Sequence, residues 1–245
     1  MRWLVDNFDV VWGLTKTHLY LSLVPLLIAL IIAIPVGTLI RNVSWVRRIT
    51  LTAASIAFTI PSLALFVTIP AILGTQVLDS INVVVALAIY STALLIRAVP
   101  EALDSVPATV VDSAQAMGYT SLRRAVGVEL PLALPVLVAN IRVVAVTNIS
   151  LVSVGSVIGI GGLGQLFTQG YQRDYPDQIV AGIIAIVFLA LLFDAALYLL
   201  GRWLTPWTRL GQSKGKRLGQ SKGKRLGRSE GTRLDKRDTK REARA

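Results

Sequence analysis

Few side chains in this sequence could carry out covalent chemistry. The 245 residues contain no cysteine and one histidine, His18, which excludes a cysteine nucleophile, a disulfide and any metal cluster built from thiolates or several histidines. Two charged residues, Arg142 and Asp194, stand inside long apolar runs. A charge there is costly in a bilayer and usually faces a cavity, a bundle interior or another charge. We therefore expect electrostatic roles, no catalytic residue and no metal site, and a membrane enzyme is the least expected class.

Long apolar segments must position these charges. Hydrophobic residues make up 53% of the chain and charged residues 16%, which is unusual for a soluble domain. We expect a kink near Pro61 in the second segment and a loop that begins around Pro70. The pattern predicts an all-α membrane protein with about five transmembrane helices, at residues 19–40, 49–78, 81–96, 132–158 and 179–201.

The distribution of basic residues predicts how these spans are oriented. Lys and Arg near span ends favour the cytoplasmic side. They concentrate between spans one and two, between spans three and four, and after span five. We therefore expect the N-terminus outside the cell and the C-terminus in the cytoplasm. Residues 1–18 would form an extracytoplasmic segment, residues 19–203 the transmembrane domain, and residues 100–131 a cytoplasmic loop within it.

This cytoplasmic loop contains a regularly spaced motif. Pro100 and Glu101 predict a helix start, and Gly118 predicts a helix end, because glycine readily adopts the left-handed conformation that a helix C-terminus often needs. The expected structure is a helix, a glycine turn and a second helix, which could dock into a groove on a soluble partner. The motif reads Asp112-Ser113-Ala114, three residues, Gly118, nine residues, Val128, one residue, Leu130-Pro131.

The spacing resembles the signature of permease subunits of bacterial ATP-binding-cassette (ABC) importers. That family has Glu-Ala-Ala, three residues, Gly, nine residues, Ile, one residue and Leu-Pro, and the present chain differs at Asp112, Ser113 and Val128. The resemblance implies the MetI-like type I permease fold. It also implies that residues 100–131, here called the coupling loop, dock on the ATPase through Asp112, Ala114, Gly118, Leu130 and Pro131.

Three further segments, 60–65, 129–135 and 158–164, are similar to permeases for quaternary-amine osmoprotectants. The resemblance extends from about residue 19 to residue 203 and implies cargo of the glycine betaine, carnitine, choline or proline betaine type. An importer permease for another small solute, such as an amino acid, remains an alternative, as does an ion-coupled secondary transporter. Two of the segments supply candidates for a gate or path: Pro61, Ser62, Gly161, Gly162 and Gly164.

Residues 159–164 also spell G-x-G-x-x-G, the fingerprint of dinucleotide-binding proteins. That site requires a preceding strand and a phosphate-facing helix, whereas these glycines follow an apolar helix, so we expect an irregular external turn or gate. The chain also lacks the G-x-x-x-x-G-K-[ST] loop that cradles ATP. We therefore expect no cofactor in this chain, with ATP and magnesium bound by a partner ATPase.

The resemblance implies a complete set of partners in the bacterial plasma (inner) membrane. They are an ABC ATPase dimer, a second permease subunit of the same or paralogous sequence, and an extracytoplasmic substrate-binding protein that holds the solute. Within the bilayer, Arg142 and Asp194 could pair and fix the packing of spans four and five. Alternatively, one of them could line the path. We favour the pair, because Arg142 would repel a trimethylammonium group.

The C-terminal tail has a different composition from the rest of the chain. From Arg209, an eight-residue pattern repeats, and 14 Lys or Arg against 4 Asp or Glu supply +10 of the net charge of +11. High charge and low hydrophobicity predict disorder for residues 209–245. The tail could bind anionic lipid or could simply be solvated. No nucleic-acid partner is expected, because no aromatic residue follows Trp207 to stack on bases.

Overall fold

The computed structural model describes Trp3 and residues 6–207, and this part of the chain is helical with no strand. The repeat tail and its predicted disorder lie outside the described residues. The described residues up to Gly201 form one compact unit, and Arg202 begins a second. The helices are α1 (Phe8–Ile40), α2 (Ser44–Thr59), α3 (Ser62–Leu73), α4 (Ser80–Asp104), α5 (Ala108–Ala116), α6 (Ser121–Arg124), α7 (Leu130–Gly155), α8 (Gln165–Gln172) and α9 (Pro176–Leu204).

Shorter helical turns join some of these elements. A π-helical turn, Ala125–Glu129, connects α6 to α7, and 3₁₀ turns occupy Ser156–Ile158 and Gly162–Gly164. Within the described residues, four helices are long and apolar enough to cross a membrane, or five segments if α2 and α3 form one broken span. The predicted all-α architecture of about five spans is confirmed.

The second span is a broken helix. The predicted kink near Pro61 is a sharp bend of 101° between α2 and α3. The loop predicted to begin at Pro70 is wrong, because α3 continues through Pro70 and ends at Gly74. Gly74 has a φ of +69° and donates its N–H to the Pro70 carbonyl. The left-handed residue therefore ends this helix, whereas the proline removes one donor without stopping it.

The helix start predicted at Pro100 is also wrong. Helix α4 runs past Pro100 to Asp104, and the next helix begins only after Pro107. Pro100 is buried where α4 meets α1, and a Cβ added at Gly37 would lie 2.7 Å from Val99 Cβ and 3.3 Å from Pro100 Cδ. This close approach, which a small residue permits, holds α4 helical through the proline.

The structure contains two helical stretches that the sequence did not predict. Helix α1 begins at Phe8, so residues 8–18 continue the first span as one helix. Helix α8 lies in the segment that was expected to be an external loop. Both stretches are less uniformly apolar than the spans, which is why hydropathy alone did not identify them.

Helix α4 lies at the centre of the bundle and packs against α1, α2, α3 and α7. One core cluster joins Leu21 of α1, Phe66 of α3, Leu87 of α4 and Val152 of α7. Two buried polar side chains link helices in this core: Ser91 donates to Asn148 Oδ1 at 2.8 Å, and the Asn148 amide donates to the Ser22 carbonyl at 3.2 Å. Paired polar groups inside a bundle can hold helices together without an unsatisfied donor.

Candidate functional site

The first half of the coupling loop forms a helix that ends in a glycine turn. Asp112 is exposed on α5, whereas Ala114 is buried with 1% of its surface accessible. Gly118 has a φ of +82°. Its N–H donates to the Gln115 carbonyl at 2.9 Å, and the Tyr119 N–H donates to the Ala114 carbonyl at 3.2 Å. These two bonds form a Schellman motif, in which the left-handed residue is normally glycine.

The second half of the coupling loop leads directly into α7. The Leu130 N–H donates to the Ala125 carbonyl, which closes the π-helical turn, and Pro131 lies in the first turn of α7. Proline cannot donate to the carbonyl of Gly127, and a wider turn before it accommodates that missing bond. Leu130 and Pro131 therefore join the loop to a membrane span through continuous helical backbone.

Apolar side chains project from the tip of the coupling loop. The exposed fractions are 70% for Met117, 71% for Leu122 and 58% for Val126. Ala114, on the preceding helix α5, is buried. Several exposed large apolar residues within ten positions of the sequence are typical of an interaction surface.

An ion-pair network holds the base of this loop. The carboxylate of Glu129, with 1% of its side chain exposed, accepts hydrogen bonds from Arg124 Nε at 2.7 Å and from Arg41 Nη1. Arg41 Nε donates to Asp104 Oδ1 at 2.7 Å, and Arg47 Nη2 donates to Asp104 Oδ2 at 2.8 Å. The network therefore joins the C-terminal end of α1, the first turns of α2, the end of α4, α6 and the π-helical turn.

Arg41 keeps its positive charge in this network. Partial burial acts to lower the pKa of Arg41, but its hydrogen bonds to Asp104 and Glu129 outweigh this effect and raise the pKa above the usual value for arginine.

The sequence did not predict these contacts, because the arginines indicated only the orientation of the spans and nothing in the sequence marked Asp104. A carboxylate immediately before a span, Glu129, was the one available hint of a buried ion pair.

The structure brings the two intramembrane charges together between α7 and α9. Arg142 Nε donates to Asp194 Oδ1 at 2.8 Å and Arg142 Nη2 to Asp194 Oδ2 at 2.6 Å, a bidentate geometry. The guanidinium carbon also lies 5.2 Å from the centroid of the Tyr198 ring. Both charged side chains keep 31% of their surface exposed, so the pair lies at the surface of this subunit.

The candidate glycines form a tightly packed irregular turn. Gly162 has a φ of +46°, and a Cβ added there would lie 2.6 Å from His18 Cβ. A Cβ at Gly161 would lie 2.4 Å from Ser156 N, and one at Gly164 would lie 2.7 Å from Ser153 O. Glycine is therefore required at these positions, because backbone approaches backbone closely. The element that precedes the turn is a helix, whereas the dinucleotide-binding fingerprint requires a strand there.

The candidates Pro61 and Ser62 lie at the break between α2 and α3. The Ile60 carbonyl at this break accepts a hydrogen bond from the Tyr90 hydroxyl, so the freed acceptor is satisfied. Pro61 is exposed and Ser62 is half-buried. Ile160 of the glycine turn packs in the same core cluster as residues of α3, so the two candidate gate segments share one core.

Comparison with known proteins places this architecture among transporter subunits. Residues 26–210 match the family described as the binding-protein-dependent transport system inner membrane component. The chain is 35% identical over 209 residues to the osmoprotectant import permease protein OsmW of Salmonella typhimurium, which covers 84% of this chain and 97% of that protein. It is 33% identical over 192 residues to the carnitine transport permease protein OpuCB of Listeria monocytogenes, which covers 78% and 87% respectively.

A solved structure shows the same fold. A chain from inward-facing conformations of the MetNI methionine ABC transporter superposes with a TM-score of 0.74 at 25% identity, covering 82% of this chain and 98% of that chain. This confirms the importer permease fold expected from the sequence. The chain belongs to the family of binding-protein-dependent transport system inner membrane components, as a multi-pass, non-enzymatic translocation subunit of an ABC importer.

Proposed function

We propose that this chain forms part of the translocation path of an ATP-driven importer for quaternary-amine osmoprotectants of the glycine betaine, carnitine, choline or proline betaine type. The names of the relatives support this cargo class, because one is an osmoprotectant permease and the other a carnitine permease. One observation supports an ATPase-driven mechanism most directly: the coupling loop exposes apolar side chains that a partner could cover. The chain itself has no ATP-binding loop, so the energy must come from that partner.

The coupling loop faces the cytoplasm and docks on a dimer of ABC ATPase subunits, which bind ATP and magnesium. The Arg residues around the junction of α1 and α2 and between α4 and α7 support this orientation, with the N-terminus outside and the C-terminus inside. Met117 and Leu122 supply apolar contact area, and exposed Asp112 can meet a basic group on the ATPase.

Transport proceeds by alternating access. A binding protein delivers the solute to the outer face of two permease subunits, and ATP-driven closure of the ATPase dimer moves both coupling loops. The helical connection from α6 through Pro131 into α7 carries that motion to the spans. The broken second span and the glycine turn around Gly161, Gly162 and Gly164 are the elements that we assign to the gate, and Pro61 and Ser62 lie beside the path.

Arg142 and Asp194 act as a structural pair that fixes α9 against α7. Their bidentate geometry supports this role over direct solute binding, because each carboxylate oxygen of Asp194 already accepts a hydrogen bond from Arg142. The pair is half-exposed on this subunit, so a second permease subunit or a water-filled path must shield it from lipid.

Replacing Gly118 tests the coupling assignment. Valine is strongly disfavoured at a φ of +82°, although the space around Gly118 is open, so Gly118→Val should distort the turn without a steric clash. We expect the variant to insert normally into the membrane. Its ATP-driven solute uptake should fall at least tenfold, while ATP hydrolysis continues. The measurement is solute uptake and phosphate release by the complete transporter in phospholipid vesicles.

Gly13→Val is the matched control for this variant. Gly13 also has open space around it but lies in α1 without a positive φ, so its replacement should leave coupled uptake unchanged. Full coupled transport by Gly118→Val would exclude the coupling loop as the site that receives the ATPase motion.

A further inference from the structure

We propose that Glu129, Arg41 and Arg124 are positioning residues that clamp the coupling loop to the ends of three spans, so that the loop moves with the bundle as one body. The inference rests on the proposed coupling function and assigns the residues that transmit its motion. These three residues, together with Asp104 and Arg47, form a network of ion pairs that we call the clamp.

Glu129 is the centre of the clamp. Both of its carboxylate oxygens are occupied by different arginines, and only 1% of the side chain is exposed. A carboxylate buried to this degree is strongly disfavoured unless it is fully paired. Because one arginine follows α1 and the other ends α6, the carboxylate ties the coupling loop to the first span.

Arg41 extends the clamp to two further elements. Its Nε group donates to Asp104, the last residue of α4, while its Nη1 group donates to Glu129. Asp104 in turn accepts from Arg47 in α2. The planar guanidinium holds two acids that lie 25 residues apart in the sequence, Asp104 and Glu129, in a fixed relative position.

Arg124 connects the clamp to the helix that bears the motif. Its Nε group contacts Glu129, and its Nη1 group donates to Gln115 Oε1 at 3.2 Å, on α5. Arg124 is only 16% exposed, so water competes little for these contacts. Both arms of the coupling loop, α5 and α6, are therefore joined to the base by one side chain.

The Arg97–Glu101 pair provides a control, because it is an ion pair that cannot act as a clamp. Its two side chains are 66% and 55% exposed, they lie on the same helix, and they are 3.2 Å apart. An exposed pair of this kind contributes little, since water screens it, and it cannot join separate elements. Arg97→Gln is therefore a matched control that removes an arginine ion pair from α4 without touching the clamp.

The test combines amide hydrogen exchange with transport in the complete transporter, reconstituted in phospholipid vesicles. In Glu129→Gln and Arg41→Gln, we expect exchange across residues 108–124 to accelerate about tenfold, as expected for loss of a charge-assisted hydrogen bond. The number of ATP molecules hydrolysed per solute should rise severalfold. Arg97→Gln should match the wild type in both measurements.

Arg47→Gln covers the case in which the central variants fail to assemble. Arg47 lies at the outer end of the clamp, in a pair that is 31% and 40% exposed, so its loss should give smaller changes in the same direction. Unchanged exchange in these variants would overturn the clamp. Faster exchange at a wild-type ratio of ATP to solute would overturn its role in transmission, while Gly118→Val tests the coupling function separately.

Discussion

At the scale of single residues, the most consequential feature is the pairing of charges that lie far apart in the sequence. Arg142 and Asp194 are 52 positions apart, and Arg41 and Glu129 are 88 positions apart. Each acid has both oxygens occupied by arginine donors. Such pairs fix the relative positions of helices in an environment where an unpaired charge is costly.

The pair between α7 and α9 can be tested by exchanging its members. Asp194→Asn leaves Arg142 without its anion, so we expect a lower thermal unfolding midpoint of the purified subunit and reduced insertion. The double exchange Arg142→Asp with Asp194→Arg should recover most of the loss, because the opposite charges remain adjacent. Failure of the exchange to recover folding would argue that one of the charges contacts something other than its partner.

At the scale of elements, glycine and proline act differently according to what packs around them. Gly118 could be identified from the sequence, because a left-handed helix end is a local requirement. The sequence predicted a loop start at Pro70 and a helix start at Pro100, and both predictions are wrong. Helices α3 and α4 continue through these prolines, which are buried in the bundle. The break at Pro61 was predicted, but its angle of 101° and the hydrogen bond from Tyr90 to the Ile60 carbonyl were not.

The glycine turn provides a prediction at this scale. In Gly162→Ala, the new Cβ would lie 2.6–2.7 Å from His18 atoms in α1, and the φ of +46° is strained for alanine. We expect a loss of about 1–3 kcal/mol in unfolding free energy, typical of overpacking. Thermal or denaturant unfolding of the purified subunit measures it, with Gly13→Ala as the control in open space. A Gly162→Ala subunit as stable as the wild type would contradict the close packing of this turn.

At the scale of the whole molecule, the apolar runs and the spaced motif were enough to predict a helical importer permease. The order of apolar runs defines the spans, and the spacing around Gly118 is a local pattern that one chain displays. The ion pairs at the base of the coupling loop could not be predicted, because Arg41, Asp104 and Glu129 meet only after three helices pack together. Helix α4 brings them together from the centre of the bundle.

We propose that this subunit carries a quaternary amine and that a separate ATPase drives the transport. The most direct measurement is the uptake of labelled glycine betaine into vesicles that contain the permease, its ATPase and its binding protein, with and without ATP. We predict uptake that requires ATP and is reduced by unlabelled carnitine or choline. Uptake that persists without ATP and follows an ion gradient, or competition by an amino acid in place of these amines, would contradict the account.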